Sequence, residues 1–328
     1  MANLKLTLAC GRYDRTQPLI DGRVAPEGVD LTFIPLRPGE TFWRMLNHSE
    51  FDCSEMSLSS YTILRSEGDT RFIAIPVFPS RVFRHSAVYL RADSKIKTPQ
   101  DLKGKRIGVA DYQMTAAVWI RGFLAHEYGV MPEDLHWVIG RPVRTIKPPS
   151  GLSVEFMPPD TTLEAMLERG EIDALASVMI PATLGTTIRR LFADPRAVER
   201  AYFEKTGIFP IMHTFVLKRS LYESNPWLAI SFYRAFSRAR DLAYRIMYDT
   251  DALTVGLPFV IDELEASRKL FGPHIWDYSI ESSRPTLDGL VAYLDEQRLT
   301  RRKMSVEELF VPNIGPALAE YLRATGED

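Results

Sequence analysis

Asp101-Leu102-Lys103-Gly104-Lys105-Arg106-Ile107-Gly108-Val109-Ala110-Asp111-Tyr112-Gln113-Met114-Thr115 decides the fold class of this chain. Gly104 marks a turn, and the short apolar run Lys105–Ala110 behind it reads as a buried strand. A few polar residues then lead into Met114–Glu127, where Ala117, Ile120 and Leu124 stand on one face of a helix. Strand, loop and helix in this order make one step of an α/β sheet.

The same alternation extends both ways from this unit. Upstream, Leu4–Ala9, Val29–Pro35, Phe72–Phe78 and Ser86–Arg91 read as strands, the third ending at Pro79, and Phe51–Met56 as a short strand or turn. Between them Phe42, Met45 and Leu46 define a helix over Pro38–His48, and Ser57–Leu64 is a second helix. Downstream, Thr161-x-x-Glu164 reads as a capping box opening a helix that Gly170 closes, and Ile172–Val178 returns as a strand. Asn225-Pro226 opens a long helix with proline at its first position. Pro285–Arg298 is a further helix, and Ser305-x-x-Glu308 a second capping box opening a helix over Ser305–Phe310.

Two stretches read as crossings between sheets, Arg81–Ser94 and His213–Lys218. They imply two lobes: residues 1–88 plus 216–328 form the first, discontinuous lobe, and residues 89–215 form the second. The proline-rich stretch Arg141–Gly151 reads as a long loop of the second lobe. The expected architecture is therefore a two-lobed α/β protein with a ligand cleft between the lobes.

Composition narrows the function classes. The 328 residues are 45% hydrophobic and 25% charged, with a net charge of −2, as for a globular chain with sizeable cores. No basic tail or arginine stripe favours nucleic acid, and Arg298–Lys303 reads as solvated surface. Cys10 and Cys53 are too few for a disulfide scaffold and fall in buried strands. No apolar run approaches the roughly 18 residues of a membrane span. Leu4–Cys10 alternates around Lys5 and reads as a strand rather than a signal peptide, so a cytoplasmic location is expected. Homo-oligomerisation is left open.

Open α/β sheets bind ligands outside the carboxyl ends of their strands. Residues just after each strand are therefore the candidates: Arg12 and Tyr13, then Ser57, then Tyr112, Gln113, Met114 and Thr115, then Met179. The first crossing adds Arg81, Arg84 and His85, and the second adds His213. Helix starts at Ser57 and Met114 favour anions, and arginines make two-bond contacts to carboxylates. The aromatic residues Tyr13, Phe83, Tyr112 and Trp119 could wall a flat ring, although Trp119 stands at core spacing. The histidines at the crossings suit acid–base chemistry, because imidazole titrates near neutral pH. His48, His126, His136 and His274 read as surface. No Gly-x-x-x-x-Gly-Lys phosphate loop or Gly-x-Ser-x-Gly elbow occurs. No cofactor and no metal are expected, with a metal held by His85, His213 and Glu55 as the alternative.

Asp101–Val109, with Leu167-Glu168-Arg169-Gly170-Glu171-Ile172-Asp173-Ala174-Leu175, resembles type II solute-binding proteins. More narrowly, Pro76–Ser86, Tyr112–Trp119 and Arg301–Phe310 resemble the 4,5-dihydroxyphthalate decarboxylase family. The resemblance implies a type II periplasmic-binding-protein fold and cofactor-free decarboxylation of a hydroxylated aromatic dicarboxylate. It fits catalytic roles for His85, His213 and Arg84, with Arg12, Arg81 and Arg84 holding carboxylates. The alternative is a binding protein for a small aromatic or other organic anion, serving a transporter or sensor.

Overall fold

The computed structural model describes residues 2–140, 148–312 and 314–315. Its eleven strands are β1 (Leu4–Cys10), β2 (Val29–Pro35), β3 (Cys53–Ser57), β4 (Phe72–Arg81), β5 (Val88–Arg91), β6 (Arg106–Val109), β7 (His136–Ile139), β8 (Ser153–Phe156), β9 (Ala174–Ala176), β10 (Ile188–Arg190) and β11 (Ile211–Lys218). They form a five-stranded sheet in the order β2-β1-β3-β11-β4 and a six-stranded sheet in the order β10-β5-β9-β6-β7-β8. The chain passes from the first sheet to the second between Arg81 and Val88, and returns between Arg190 and Ile211.

The helices are α1 (Gln17–Ile20), α2 (Pro38–His48), α3 (Leu58–Ser66), α4 (Thr115–Tyr128), α5 (Leu163–Glu168), α6 (Pro195–Thr206), α7 (Arg219–Ser224), α8 (Trp227–Met247), α9 (Val260–Phe271) and α10 (Arg284–Glu296). Helix α8 shows why they dock. Leu228, Phe232, Ala235, Phe236 and Ala239 recur at helical spacing and are all buried. Phe232 and Phe236 close on Phe215 of β11, with ring centroids 5.2 and 4.9 Å away. Each buried phenylalanine contributes about 1.5–3 kcal/mol. Helix α4 meets α10 where Gly122 lies against the Tyr293 ring, and any Cβ there would overlap it. No helix among the described residues is long and apolar enough to cross a membrane.

Strand β4 continues past Pro79 to Arg81, beyond the expected stop. Its pairing with β11 shifts register between Phe215↔Ile75 and His213↔Ser80, a bulge that absorbs proline. As an edge strand it would leave backbone groups open. Instead the C-terminal segment covers it: Val311 N–H donates to the Ala74 carbonyl at 2.9 Å. Tyr61 accepts from Ala74 N–H at 3.1 Å and donates to the Leu309 carbonyl at 2.6 Å.

Other boundaries differ from expectation for local reasons. Helix α5 is capped by Thr162, which accepts from Ala165 N–H, while Thr161 accepts from Arg169. Strand β9 keeps only three residues of the Ile172–Val178 run, because only Ala174–Ala176 pairs with β5 and β6. Pro226 caps α8 rather than opening it. Ser305–Phe310 is a turn, not a helix: Glu308 accepts from Ser305 N–H but also pairs with Arg302, and Phe310 bridges to Ala74. Of the proline-rich loop, residues 141–147 lie outside the described residues.

Candidate active site

Strand pairing brings the site together. Strand β1 runs parallel to β3 with Ala9 opposite Ser54, and β11 lies antiparallel on β3 with Phe215 opposite Glu55 and His213 opposite Ser57. Glu55 therefore sits one strand from the Gly11–Tyr13 turn and one strand from His213, at the carboxyl ends of β1 and β3. This is the crevice position where open α/β sheets bind ligands.

Glu55 is fully buried. Its Oε1 accepts from the Tyr13 hydroxyl at 2.6 Å and lies 2.6 Å from Nδ1 of His213. Its Oε2 accepts from the Gly11 N–H at 2.9 Å and from the Cys10 thiol at 3.5 Å. Burial pushes its pKa up, but the charge His213 carries when protonated, its hydrogen bond, and the hydrogen bonds from Tyr13 and Gly11 hold it below the usual carboxylate range. Burial and the Glu55 charge push the Tyr13 hydroxyl and the Cys10 thiol up, so both keep their protons. Glu55 is thus an ionised acceptor with its oxygens fully engaged.

That arrangement fixes His213. An ionised carboxylate only accepts, so Nδ1 carries the proton facing Glu55. Nε2 has no protein partner among the described residues, and the side chain is 17% exposed. Phe42 holds the ring edge-on at a centroid distance of 4.9 Å. The outcome is an oriented imidazole with one nitrogen free to take a proton.

Tyr13 is itself held. The Arg15 guanidinium lies 4.4 Å from its ring centroid and 3.9 Å from that of Trp276, while Nε of Arg15 donates to the Pro79 carbonyl at 2.9 Å. The sequence signal for Arg15 and Glu55 was weak, since an arginine in a turn and a glutamate inside a strand look ordinary until neighbouring strands supply partners.

A hydroxyl cluster joins the two sheets beside this pair. Ser57 Oγ lies 3.0 Å from Thr115 Oγ1 and 3.2 Å from Ser59 Oγ. Ser59 donates its hydroxyl to the Gln113 carbonyl at 2.6 Å, and its N–H donates to Thr115 at 3.1 Å. Ser57 and Met114 cap α3 and α4, so both helix starts meet here, as expected of an anion-binding position. Arg12 is exposed next to Gly11 and Tyr13.

Other expected members lie elsewhere. His85 is buried in an aromatic cluster, stacked 4.0 Å from Phe123 and flanked by Phe192 and Tyr202. Both its ring nitrogens lack partners, and burial pulls its pKa down to about 4. It is a core histidine, so neither the acid–base role nor the metal set with Glu55 and His213 is assembled. Tyr112 packs with its ring 3.8 Å from the Arg121 guanidinium and edge-on to Trp137, a core position rather than a ligand wall. Trp119 likewise donates from its buried ring to the Ile211 carbonyl at 3.0 Å. Arg81 is buried against the segment between α9 and α10, bonded to the Asp277 carbonyl at 2.7 Å and to Ser283 at 2.5 Å. Arg84 donates to Met212 Sδ at 3.3 Å, and burial pulls its pKa down to about 10. Met179 is 66% exposed in the loop after β9.

Comparison with known proteins agrees with this architecture. The family described as NMT1/THI5 like matches residues 81–245. A 4,5-dihydroxyphthalate decarboxylase from Comamonas testosteroni is 40% identical over 322 residues, covering 95% of this chain and 98% of the relative. A second protein of that name, from Pseudomonas putida, is 41% identical over 213 residues, covering 62% of this chain and 83% of the relative. Among solved structures, the periplasmic aliphatic sulphonate binding protein SsuA from Escherichia coli superposes with a TM-score of 0.55 at 15% identity, over 94% of this chain and 92% of that one, a likeness of fold alone. With a full-length relative at this identity, a matching family and the type II solute-binding fold, the chain belongs to the 4,5-dihydroxyphthalate decarboxylase family.

Proposed function

We propose that this protein decarboxylates a hydroxylated aromatic dicarboxylate, 4,5-dihydroxyphthalate, to 3,4-dihydroxybenzoate without a cofactor, using His213 and Glu55 as its acid–base pair. The observation that carries the chemistry is the 2.6 Å contact between Glu55 Oε1 and Nδ1 of His213, which leaves Nε2 free. The relatives named for this activity support the substrate.

Each carboxylate of the substrate stands para to a hydroxyl. Nε2 of His213 takes the proton from that hydroxyl, and the phenolate charge moves to the ring carbon bearing the carboxylate. A proton from solvent adds to that carbon, while the imidazolium, stabilised by Glu55, holds the hydroxyl proton and returns it to the phenolate of the product. The carbon–carboxylate bond then breaks, its electron pair restores the aromatic ring, and carbon dioxide leaves. Tyr13 keeps its proton and holds Glu55 in place. Arg12 and the helix starts at Ser57 and Met114 receive the carboxylates.

The test is to follow carbon dioxide and 3,4-dihydroxybenzoate from purified protein and 4,5-dihydroxyphthalate, with and without chelation. Turnover beyond one equivalent that survives chelation is expected. Tight binding of the diacid with no product would leave a binding protein in place of the enzyme.

A further inference from the structure

We propose that the cavity around Arg81 is a second ligand site, for a single-ring aromatic carboxylate, separate from the Glu55–His213 pair. The cavity measures about 250 Å³, and its lining includes Arg81, Phe203, Phe209, Phe271, Asp277 and Thr286. An apolar cavity of roughly 150 Å³ holds a benzene molecule. This one has room for a ring with a carboxylate and little more.

The guanidinium in the cavity has no carboxylate in direct contact. Arg81 is only 7% exposed, yet no carboxylate among the described residues lies within ion-pair distance of it. Its bonds go to neutral oxygens, the Asp277 carbonyl at 2.7 Å and the Ser283 hydroxyl at 2.5 Å, and its buried Nε has no partner. The Asp277 carboxylate accepts from Ser279 N–H at 3.1 Å and lies 4.0 Å from Arg240, so it acts on Arg81 only through space. Burial outweighs that attraction and disfavours the charged guanidinium, whose planar fork matches a carboxylate in direct contact.

The walls select a flat ring. Phe209 stacks on Phe271 at 4.8 Å and on Phe83 at 5.0 Å, and Phe203 meets Phe271 edge-on at 4.7 Å. The site is distinct from the catalytic pair by its bonding: Arg81 is tied to the segment between α9 and α10, whereas Glu55 is tied to β11 and the turn after β1. Arg81 ends β4 and Phe209 precedes β11, so a ligand here touches both chain crossings.

Calorimetric titration of the full chain with benzoate tests this, beside turnover of 4,5-dihydroxyphthalate. Two benzoates per chain are expected for the wild type. One is expected for Ser282→Phe, which fills the exposed rim of the cavity without touching the bonds of Arg81, and for Arg81→Gln. Ser282→Phe should keep its turnover, and it carries the test if Arg81→Gln fails to fold. One benzoate per chain in the wild type, or two in Ser282→Phe, would overturn the second site. Two benzoates without turnover in the wild type would instead sink the decarboxylase reading and leave this one standing.

Discussion

Nδ1 of His213 lies 2.6 Å from Oε1 of Glu55, a carboxylate with no exposed surface and four protein partners. A buried carboxylate so engaged serves to orient and to stabilise the imidazolium. Glu55→Gln preserves shape but cannot carry that charge, so kcat should fall by about 10²–10⁴-fold with KM little changed. His213→Asn should fall at least as far. Steady-state kinetics on both variants checks this, and a Glu55→Gln enzyme with wild-type kcat would remove the pair from the mechanism.

Gly11 stands where a Cβ would come within 2.7 Å of the Tyr13 ring. In Gly11→Ala the tyrosine must shift and its bond to Glu55 must lengthen. Tyr13→Phe deletes that bond directly, and a hydrogen bond to a charged group contributes about 1.5–3 kcal/mol. Both variants should lose stability, and both should lower kcat, since each frees Glu55 from one anchor. Thermal melts and kinetics on the pair and the double variant settle it: the two losses should overlap rather than add, because they act on one contact. Full additivity would mean that Gly11 acts elsewhere.

The helices and strands around Asp101–Thr115 were legible because periodicity and turn residues act locally. Val29–Pro35 and Pro38–His48 emerge with the boundaries their apolar spacing implies. The site was legible only in its positions. Placement after strands pointed to Tyr13, Ser57 and Thr115, and the second crossing to His213; Tyr13 and His213 meet on Glu55, and Thr115 meets Ser57 beside them. What position could not reveal was direction: His85 and Arg81 flank the same crossing as the cleft, yet one turns into Phe123 and the other bonds Ser283. Such outcomes depend on α4 and on the segment between α9 and α10, contributed from far along the chain. The contacts of Glu55 were not legible because they come from the turn after β1 and from β11, more than forty residues away on either side.

The hydroxyls of Ser57, Ser59 and Thr115 tie the two sheets together at the mouth of the site. Thr115→Val keeps the volume but leaves Ser59 N–H and the serine hydroxyls short of a partner. A buried group left unsatisfied costs about 1–3 kcal/mol. Denaturant titration should show that loss, and KM should rise because both helix starts lose their alignment. A variant with unchanged stability and KM would mean that water replaces the threonine at no cost.

His85 makes a prediction about acid. Its pKa lies at about 4, against an ordinary 6.5, because burial among Phe123, Phe192 and Tyr202 disfavours the imidazolium. The unfolded chain therefore binds a proton here at pH values where the folded chain does not, so stability rises with pH through this window. The contribution is complete above about pH 6.5 and is lost progressively as the pH falls toward 4. A shift of this size corresponds to roughly 3 kcal/mol at its full extent. Glu55 acts in the same direction but lower, since its depressed carboxyl loses stability only as the pH drops below the ordinary carboxylate range. The two windows can be separated with His85→Phe, which keeps an aromatic ring against Phe123 and cannot titrate. Urea unfolding at pH 7, 5.5 and 4.5 should show the wild type weakening more steeply than the variant, with the difference growing across that interval. Parallel curves for the two proteins would show that His85 takes up its proton at the same pH in the folded and unfolded chain.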